Sequence, residues 1–375
     1  VTPKVARFLA RGDAEGAADI GVQAILIALV AGTLVMVAGL TLADPVIRLL
    51  GGDGDIGTMG ATYLRIRVLS APFVLMALVG HGWLRGAQDT RTPMKVAVAG
   101  AAGNGVLDYL FIYPLGWGVA GAAWATVASQ AAAAAVFIYL LRKRWPAVRW
   151  HVDLAVVRSM LTVGADLVVR TGSLLAALTL ATALAARMGG VALGSWQITM
   201  QIFLLLSLTM DALAIAAQAL VAKHLGFDDG AGARRIARRL MELGVVAGVV
   251  LGTVLYALRL PLASIFTDDP RVLERAGFLI GLLAISQPVA AAAFMLDGIL
   301  IGALMTRFLA GAMVISSALF AVVALVVFEQ GWGTTGLAIG IGLWLTARVV
   351  TTGRLYLSAR WTATALPPRT GAVIR

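Results

Sequence analysis

Gly82-Trp-Leu-Arg-Gly-Ala-Gln-Asp-Thr-Arg91 recurs as Gly298-Ile-Leu-Ile-Gly-Ala-Leu-Met-Thr-Arg307, with six of ten positions identical at an offset of 307 − 91 = 216. Ser70-Ala-Pro72 matches Ser286-Gln-Pro288 at the same offset. Gly116-Trp-Gly118-x-x-Gly121-x-Ala123 matches Gly331-Trp-Gly333-x-x-Gly336-x-Ala338 at 215. Three matches at one spacing mean a duplicated unit, and the period is far too long for a solenoid repeat. The second lobe begins near residue 149, and 149 − 216 falls before residue 1. The first lobe is therefore expected to lack its N-terminal part.

Composition sets the medium. The chain is 60% hydrophobic and 13% charged, with a mean hydropathy of +0.91. A water-soluble fold of 375 residues does not hide that much apolar side chain, so the reading is an integral membrane protein. With no cysteine, disulfides, thiolate metal sites and thiol catalysis are excluded. His81, His151 and His224 are scattered, which speaks against a zinc or haem site.

Ten apolar stretches are long enough to cross a bilayer, which takes about 20 residues each. They lie near 20–42, 61–84, 95–113, 119–141, 160–185, 191–221, 241–261, 275–301, 308–328 and 335–357. Their connections alternate in charge. One side carries 22 of the 30 basic residues, from Lys4 and Arg7 through Arg142-Lys-Arg144 to Arg348 and Arg375. The other side carries seven, and Arg170 lies inside a span. The basic-rich side is cytoplasmic by the positive-inside rule, and both ends of the chain fall there. The net charge of +11 is thus explained by topology, and nucleic acid is not an expected partner. Six spans per period return the chain to the same side, so the lobes are parallel repeats about an axis along the membrane normal. The domains expected are an N-lobe over 1–141, a basic linker over 142–158 with Trp145 and Trp150 at headgroup depth, a C-lobe over 159–360, and a tail over 361–375. Arg11-Gly-Asp-Ala-Glu-Gly-Ala17 and Gly226-Phe-Asp-Asp-Gly-Ala-Gly-Ala-Arg-Arg235 each read as a loop leading into a short amphipathic basic helix on the cytoplasmic surface.

Polar residues inside spans cost about 2.5–3.5 kcal/mol when charged, so those retained are the candidates for function. Asn104 and Asp108 stand one helical turn apart and share a face. A carboxylate and an amide oxygen at that spacing form half of a proton or hard-cation site; the alternative is an interhelical hydrogen bond by a protonated Asp108. Thr126 in the next span adds a hydroxyl, although threonine in such helices commonly bonds its own backbone. Asp166 and Arg170, also i and i+4, read as a structural ion pair. Gln197, Gln201, Asp211 and Gln218 share one long span, and Asp297 lies mid-span near Gln287 and Pro288. Of these, Gln197, Gln201, Asp211 and Asp297 are expected to give the second lobe a polar cavity. For Asp211 and Asp297, functional and structural roles are equally supported.

These residues resemble the multidrug and toxic compound extrusion (MATE) transporters. The resemblance rests on Leu84-Arg-Gly-Ala-Gln-Asp-Thr-Arg-Thr-Pro93, Asn104-x-x-x-Asp108 and Gly118-x-x-Gly121-Ala-Ala-x-Ala-Thr126. The second lobe looks like the DNA-damage-inducible F branch, through Asp166-Leu-x-x-Arg170, Met210-Asp-x-x-x-x-Ala-Ala-Gln-Ala-Leu-Val221 and Leu296-Asp-Gly-Ile-Leu-Ile-Gly-Ala303. It covers residues 1–360. It implies an all-α polytopic membrane fold of two six-helix lobes, of which ten helices of twelve are present. In similar proteins an Asp and an Asn one turn apart in the fifth span, and a Thr in the sixth, bind the coupling cation; they match Asp108, Asn104 and Thr126. An acidic residue of the first span completes that site and has no counterpart here. A second-lobe acidic site in a related branch falls on the tenth span, where Asp297 lies.

The resemblance further implies export of amphipathic or cationic organic compounds across the plasma membrane in exchange for H+ or Na+. No cofactor beyond that ion is expected, and no catalysis. Partners are the small organic substrates and membrane lipids, and the chain is expected to be monomeric. One alternative is a lipid-linked oligosaccharide flippase of the same superfamily. It would favour several cations to hold pyrophosphate, and Arg170 is the only basic residue read as deep in a span. A truncated, inactive transporter is the other.

Overall fold

A computed structural model describes residues 1–49, 51, 53–144, 152–358 and 360–363. Trp145, Trp150 and all but the start of the tail lie outside these. The described residues form α-helices and no strand. They are α1 (Thr2–Ala10), α2 (Ala14–Leu49), α3 (Gly54–Val68), α4 (Ala71–Gly86), α5 (Arg91–Ile112), α6 (Gly118–Arg144) and α7 (Leu154–Arg187). There follow α8 (Gly190–Gly226), α9 (Gly230–Ala257), α10 (Arg259–Ser264), α11 (Pro270–Gly302), α12 (Thr306–Glu329), α13 (Gly333–Ser358) and a 3-10 turn at Arg360–Ala363.

The chain divides into two compact units, Val1–Met160 and Leu161–Arg375. Eight of the described helices are long and apolar enough to cross a membrane, or nine if a bent pair counts as one span. That pair corrects the span expected near 61–84: α3 and α4 meet at 45° across Leu69 and Ser70. Pro72, at the start of α4, cannot donate to the preceding turn, which disfavours a straight helix there. α5 falls outside the apolar set, because Arg91, Lys95, Asn104 and Asp108 dilute it. The span near 241–261 ends at Ala257, and α10 follows separately. The loops after residues 10 and 226 do not lead into short surface helices. They lead into the first turns of α2 and α9, which have 36 and 28 residues.

The 216-residue repeat persists in the backbone. Gln88 and Leu304 both take positive φ, 64° and 63°. Each follows a helix closed by a six-residue hydrogen bond, Asp89 N–H to Leu84 C=O and Met305 N–H to Leu300 C=O, both 2.9 Å. Gly12 and Asp228 repeat this turn, with φ of 72° and 56°. A left-handed residue closing a helix in this way satisfies carbonyls that would otherwise be orphaned. The next helices start alike: Asp13 accepts from Gly16 N–H at 2.8 Å, and Asp229 from Gly232 N–H at 2.7 Å. Packing repeats as well. A Cβ on Gly32 would lie 2.4 Å from Pro72 Cα, and one on Gly248 would lie 3.0 Å from Pro288 Cα. Both glycines let a helix backbone press onto the helix that carries the proline.

Each unit has its own core. In the first, Trp83 is buried against α2 and its Nε1 donates to Ala17 C=O at 2.9 Å. In the second, Ala177, Ala181 and Leu184 of α7 pack with Trp196, Phe320 and Trp344. α11 is the most buried of the long helices and touches α8, α9, α10, α12 and α13. Its polar residues Gln287 and Asp297 are therefore in the interior of the second unit, whereas Arg271 and Glu274 at its start are exposed.

Candidate functional site

Asp297 sits on α11, 4% exposed. Its Oδ2 accepts from Nη2 of Arg348 on α13 at 2.6 Å and also from Nη2 of Arg170 on α7. Arg348 is 3% exposed. Its guanidinium lies 5.2 Å from the Trp344 ring centroid and 5.9 Å from that of Phe294. The spacing explains the arrangement: Trp344 and Arg348 are i, i+4 on α13, and Phe294 and Asp297 are i, i+3 on α11, so each pair shares a face. Asp211 of α8 interacts electrostatically with Arg170, Asp297 and Arg348. Three helices thus bring two guanidinium groups and one carboxylate together inside the second unit, and the exposed Asp211 of α8 acts on all three.

This geometry corrects three sequence expectations. Arg170 pairs with Asp297, and Asp166 accepts instead from the Thr306 hydroxyl at 2.7 Å. The i, i+4 spacing makes a pair possible, but a buried carboxylate on a neighbouring helix is the stronger partner for a guanidinium inside a membrane. Arg348 is not part of the cytoplasmic basic tail; it is the second cation of this cluster. The four residues expected to give a polar cavity also do not come together. Asp211 interacts electrostatically with Asp297, but Gln201 and Gln197 precede Asp211 by 10 and 14 residues, about 15 and 21 Å along a helix. Both are exposed. Gln287 is buried and donates to Leu283 C=O at 3.2 Å, within its own helix. Arg348 was legible in one respect: it lies nine residues before Leu357, well inside an apolar span, and one turn after a tryptophan.

In the first unit, Asn104 and Asp108 occupy one half-buried face of α5. Asn104 Nδ2 is buried without a hydrogen-bond partner among the described residues. Thr126 Oγ1 donates to Ala122 C=O at 3.1 Å, one turn back. Its proton is engaged locally, and its oxygen lone pairs remain for a ligand.

Duplicated helical units with charges buried between apolar helices define a polytopic membrane protein. The family model named MatE matches residues 1–110 and 174–327, and the chain belongs to that family. Asp211 and Asp297 lie in the matched segments, and Arg170 and Arg348 outside them. Protein DETOXIFICATION 44, chloroplastic, of Arabidopsis thaliana is 36% identical over 85% of this chain and 63% of its own length. DNA damage-inducible protein F of Escherichia coli (strain K12) is 26% identical over 81% of the chain and 68% of its own. A solved structure described as the outward-facing conformation of a multidrug resistance MATE family transporter superposes with a TM-score of 0.87 at 20% identity, covering 97% of this chain and 83% of that one. The chain spans 55–64% of the length of the first four DETOXIFICATION proteins it matches.

Proposed function

We propose that the protein is a secondary transporter that moves organic compounds across a membrane in exchange for H+ or Na+, by alternating access. The observation that carries this reading is the Arg170–Asp297–Arg348 cluster with Asp211 beside it. Removing one member of a buried ion pair is costly, yet the intact pair is often no more stable than apolar side chains of the same volume. Stability therefore gives little reason to keep Arg170, Asp297 and Arg348 inside a bundle of apolar helices. Exchange of ions and substrate gives one, because protonation or cation binding at a buried carboxylate changes the charge the bundle must hold. It shifts a two-state equilibrium by the difference in ion affinity between the states.

Asn104 and Asp108, with Thr126, form the proposed coupling-cation site of the first unit. The unpartnered Asn104 amide and the half-buried Asp108 support that reading. The chain is read as monomeric, with the ion its only cofactor and both of its ends cytoplasmic in the plasma membrane. The amphipathic or cationic substrate expected from the sequence is kept in this reading, since Asp297 and Asp211 balance the two guanidinium groups of the second unit. A second reading, the lipid-linked oligosaccharide flippase, gains from the same observation, since Arg348 joins Arg170 as a potential diphosphate ligand.

Efflux from proteoliposomes separates these. The antiporter reading expects an inwardly directed H+ or Na+ gradient to drive accumulation of at least one organic compound against its own gradient. No transport under either gradient, with scrambling of a lipid-linked diphosphate sugar instead, would favour the flippase.

A further inference from the structure

The first turns of α9 carry Arg234, Arg235, Arg238 and Arg239, and all four are exposed. The fold does not need them. At the 216-residue offset the first unit has Ala18, Asp19, Val22 and Gln23 in the same places, after the same left-handed turn and the same aspartate cap. There Ala18, Val22 and Gln23 are buried, and Gln23 Oε1 accepts from Asp153 N–H at 3.3 Å. In the second unit the matching face is open and cationic. Helix electrostatics also work against the arginines. The N-terminal end of a helix dipole disfavours cations, and α9 has no acidic residue in its first turn, whereas α2 has Glu15.

Few protein groups balance this charge. Arg238 Nε donates to Glu242 Oε1 at 3.0 Å, and Arg234 Nη2 to the Thr362 hydroxyl at 3.3 Å. Asp229 is engaged by Gly232 N–H and by His224, and Arg235 acts on it only through space. Arg239 has no hydrogen bond or ion pair among the described residues. Residues 364–375 hold Arg369 and Arg375 and no acidic side chain, so charge speaks against the chain's own tail as the partner.

Below the arginines the same face turns apolar. Arg235, Arg239, Leu243, Val246 and Val250 follow i, i+4, i+8, i+11 and i+15, which keeps them within about 80° around the helix. Leu243, Val246 and Val250 are 62%, 58% and 55% exposed. From Arg239 to Val250 the stripe runs about 16 Å, roughly half of a hydrocarbon core about 30 Å thick. A charged head above an apolar stripe one leaflet long is the shape of a phospholipid. An acidic protein segment would use the arginines and leave the stripe without a role.

We propose that this face of α9 binds an anionic phospholipid, its phosphate held by Arg235 and Arg239 and flanked by Arg234 and Arg238, with an acyl chain along Leu243, Val246 and Val250. The guanidinium fork matches phosphate oxygens with paired hydrogen bonds. The anion also meets the positive end of the helix dipole, which the arginines alone oppose. The site requires residence in a membrane and is independent of what the protein transports.

The chain contains no cysteine, so Leu243→Cys can carry a single bimane label on the full-length protein. The labelled protein is placed in phosphatidylcholine vesicles with a small fraction of a doxyl-chain quencher lipid, either phosphatidylglycerol or phosphatidylcholine. At residue 243 the phosphatidylglycerol quencher is expected to associate at least about tenfold more strongly, since each arginine near a membrane surface favours anionic lipid several-fold. Adding Arg235→Gln and Arg239→Gln, both exposed positions, should bring that ratio close to one. Ile315→Cys is the control: residue 315 is 67% exposed on α12, eight residues after its single arginine, Arg307, and should show little preference. An equal preference at 243 and 315, or one that survives the double variant, would overturn the site. Displacement of the quencher by soluble glycerophosphoglycerol as readily as by unlabelled phosphatidylglycerol would overturn the lipid assignment, since the apolar stripe would then contribute nothing.

Discussion

Asp297→Leu is expected to be the most damaging single substitution in the second unit, lowering stability by about 3–5 kcal/mol. The loss arises less from the missing hydrogen bonds than from what remains. Arg348, 3% exposed, and Arg170 would face each other with the Asp297 counter-charge gone and only Asp211 left to compensate. Arg170→Met should cost less than Arg348→Met, because the Arg170 side chain is 16% exposed and that of Arg348 is 4%. The combined variant with Leu at 297 and Met at 170 and 348 should recover most of the loss, since an apolar set of similar volume removes the desolvation cost along with the attraction. Unfolding in mixed detergent micelles measures all four. A combined variant no more stable than Asp297→Leu would show that packing, not unbalanced charge, is the cause.

Gly32→Val and Gly248→Val are expected to destabilise the two units by about 1–3 kcal/mol each. In each, the new Cβ meets backbone rather than the end of a flexible side chain: Pro72 Cα at 2.4 Å and N at 2.7 Å for residue 32, and Gln287 O at 2.8 Å and Pro288 Cα at 3.0 Å for residue 248. The helices must separate, which also strips contacts along their length. Position 32 should suffer more, since its clash is closer. Gly103→Ala is the control. Nothing lies within 4 Å of its Cβ, and alanine favours a helix over glycine by about 1 kcal/mol, so it should be neutral or stabilising. The same unfolding measurement reads all three, and equal effects at 32, 248 and 103 would contradict the close-packing account.

The duplication was legible because helix ends and close crossings use few residue types. Thr-Arg after the 82–89 and 298–305 turns, and the Ser-x-Pro pairs, mark positions where the backbone itself is constrained, so they outlast divergence elsewhere. The left-handed Gln88 and Leu304 were not legible, since neither side chain signals positive φ. The break between α3 and α4 was hidden for a related reason: Ser-x-Pro also occurs in α11, which stays a single helix with Pro288 inside. For the site, single-residue costs picked out Asp297, Asp211, Arg170, Asn104 and Asp108. Partner choice was not available that way. Asp166 and Arg170 are neighbours along one helix, but the pairing of Arg170 is decided by α11, 127 residues away. Arg348 was missed because a cation near the end of a span was assigned to the cytoplasmic side by topology. Its burial depends on the contact between α11 and α13, which hydropathy does not encode.

The central claim is that the carboxylate held between Arg170 and Arg348 couples ion and substrate. Its most direct test is gradient-driven transport in proteoliposomes by the wild-type protein and by Asp297→Asn, with binding of the transported compound measured in parallel. Asp297→Asn is predicted to keep binding its substrate but to lose accumulation driven by a pH or sodium gradient, leaving only downhill exchange. Full gradient-driven accumulation by Asp297→Asn would contradict the account.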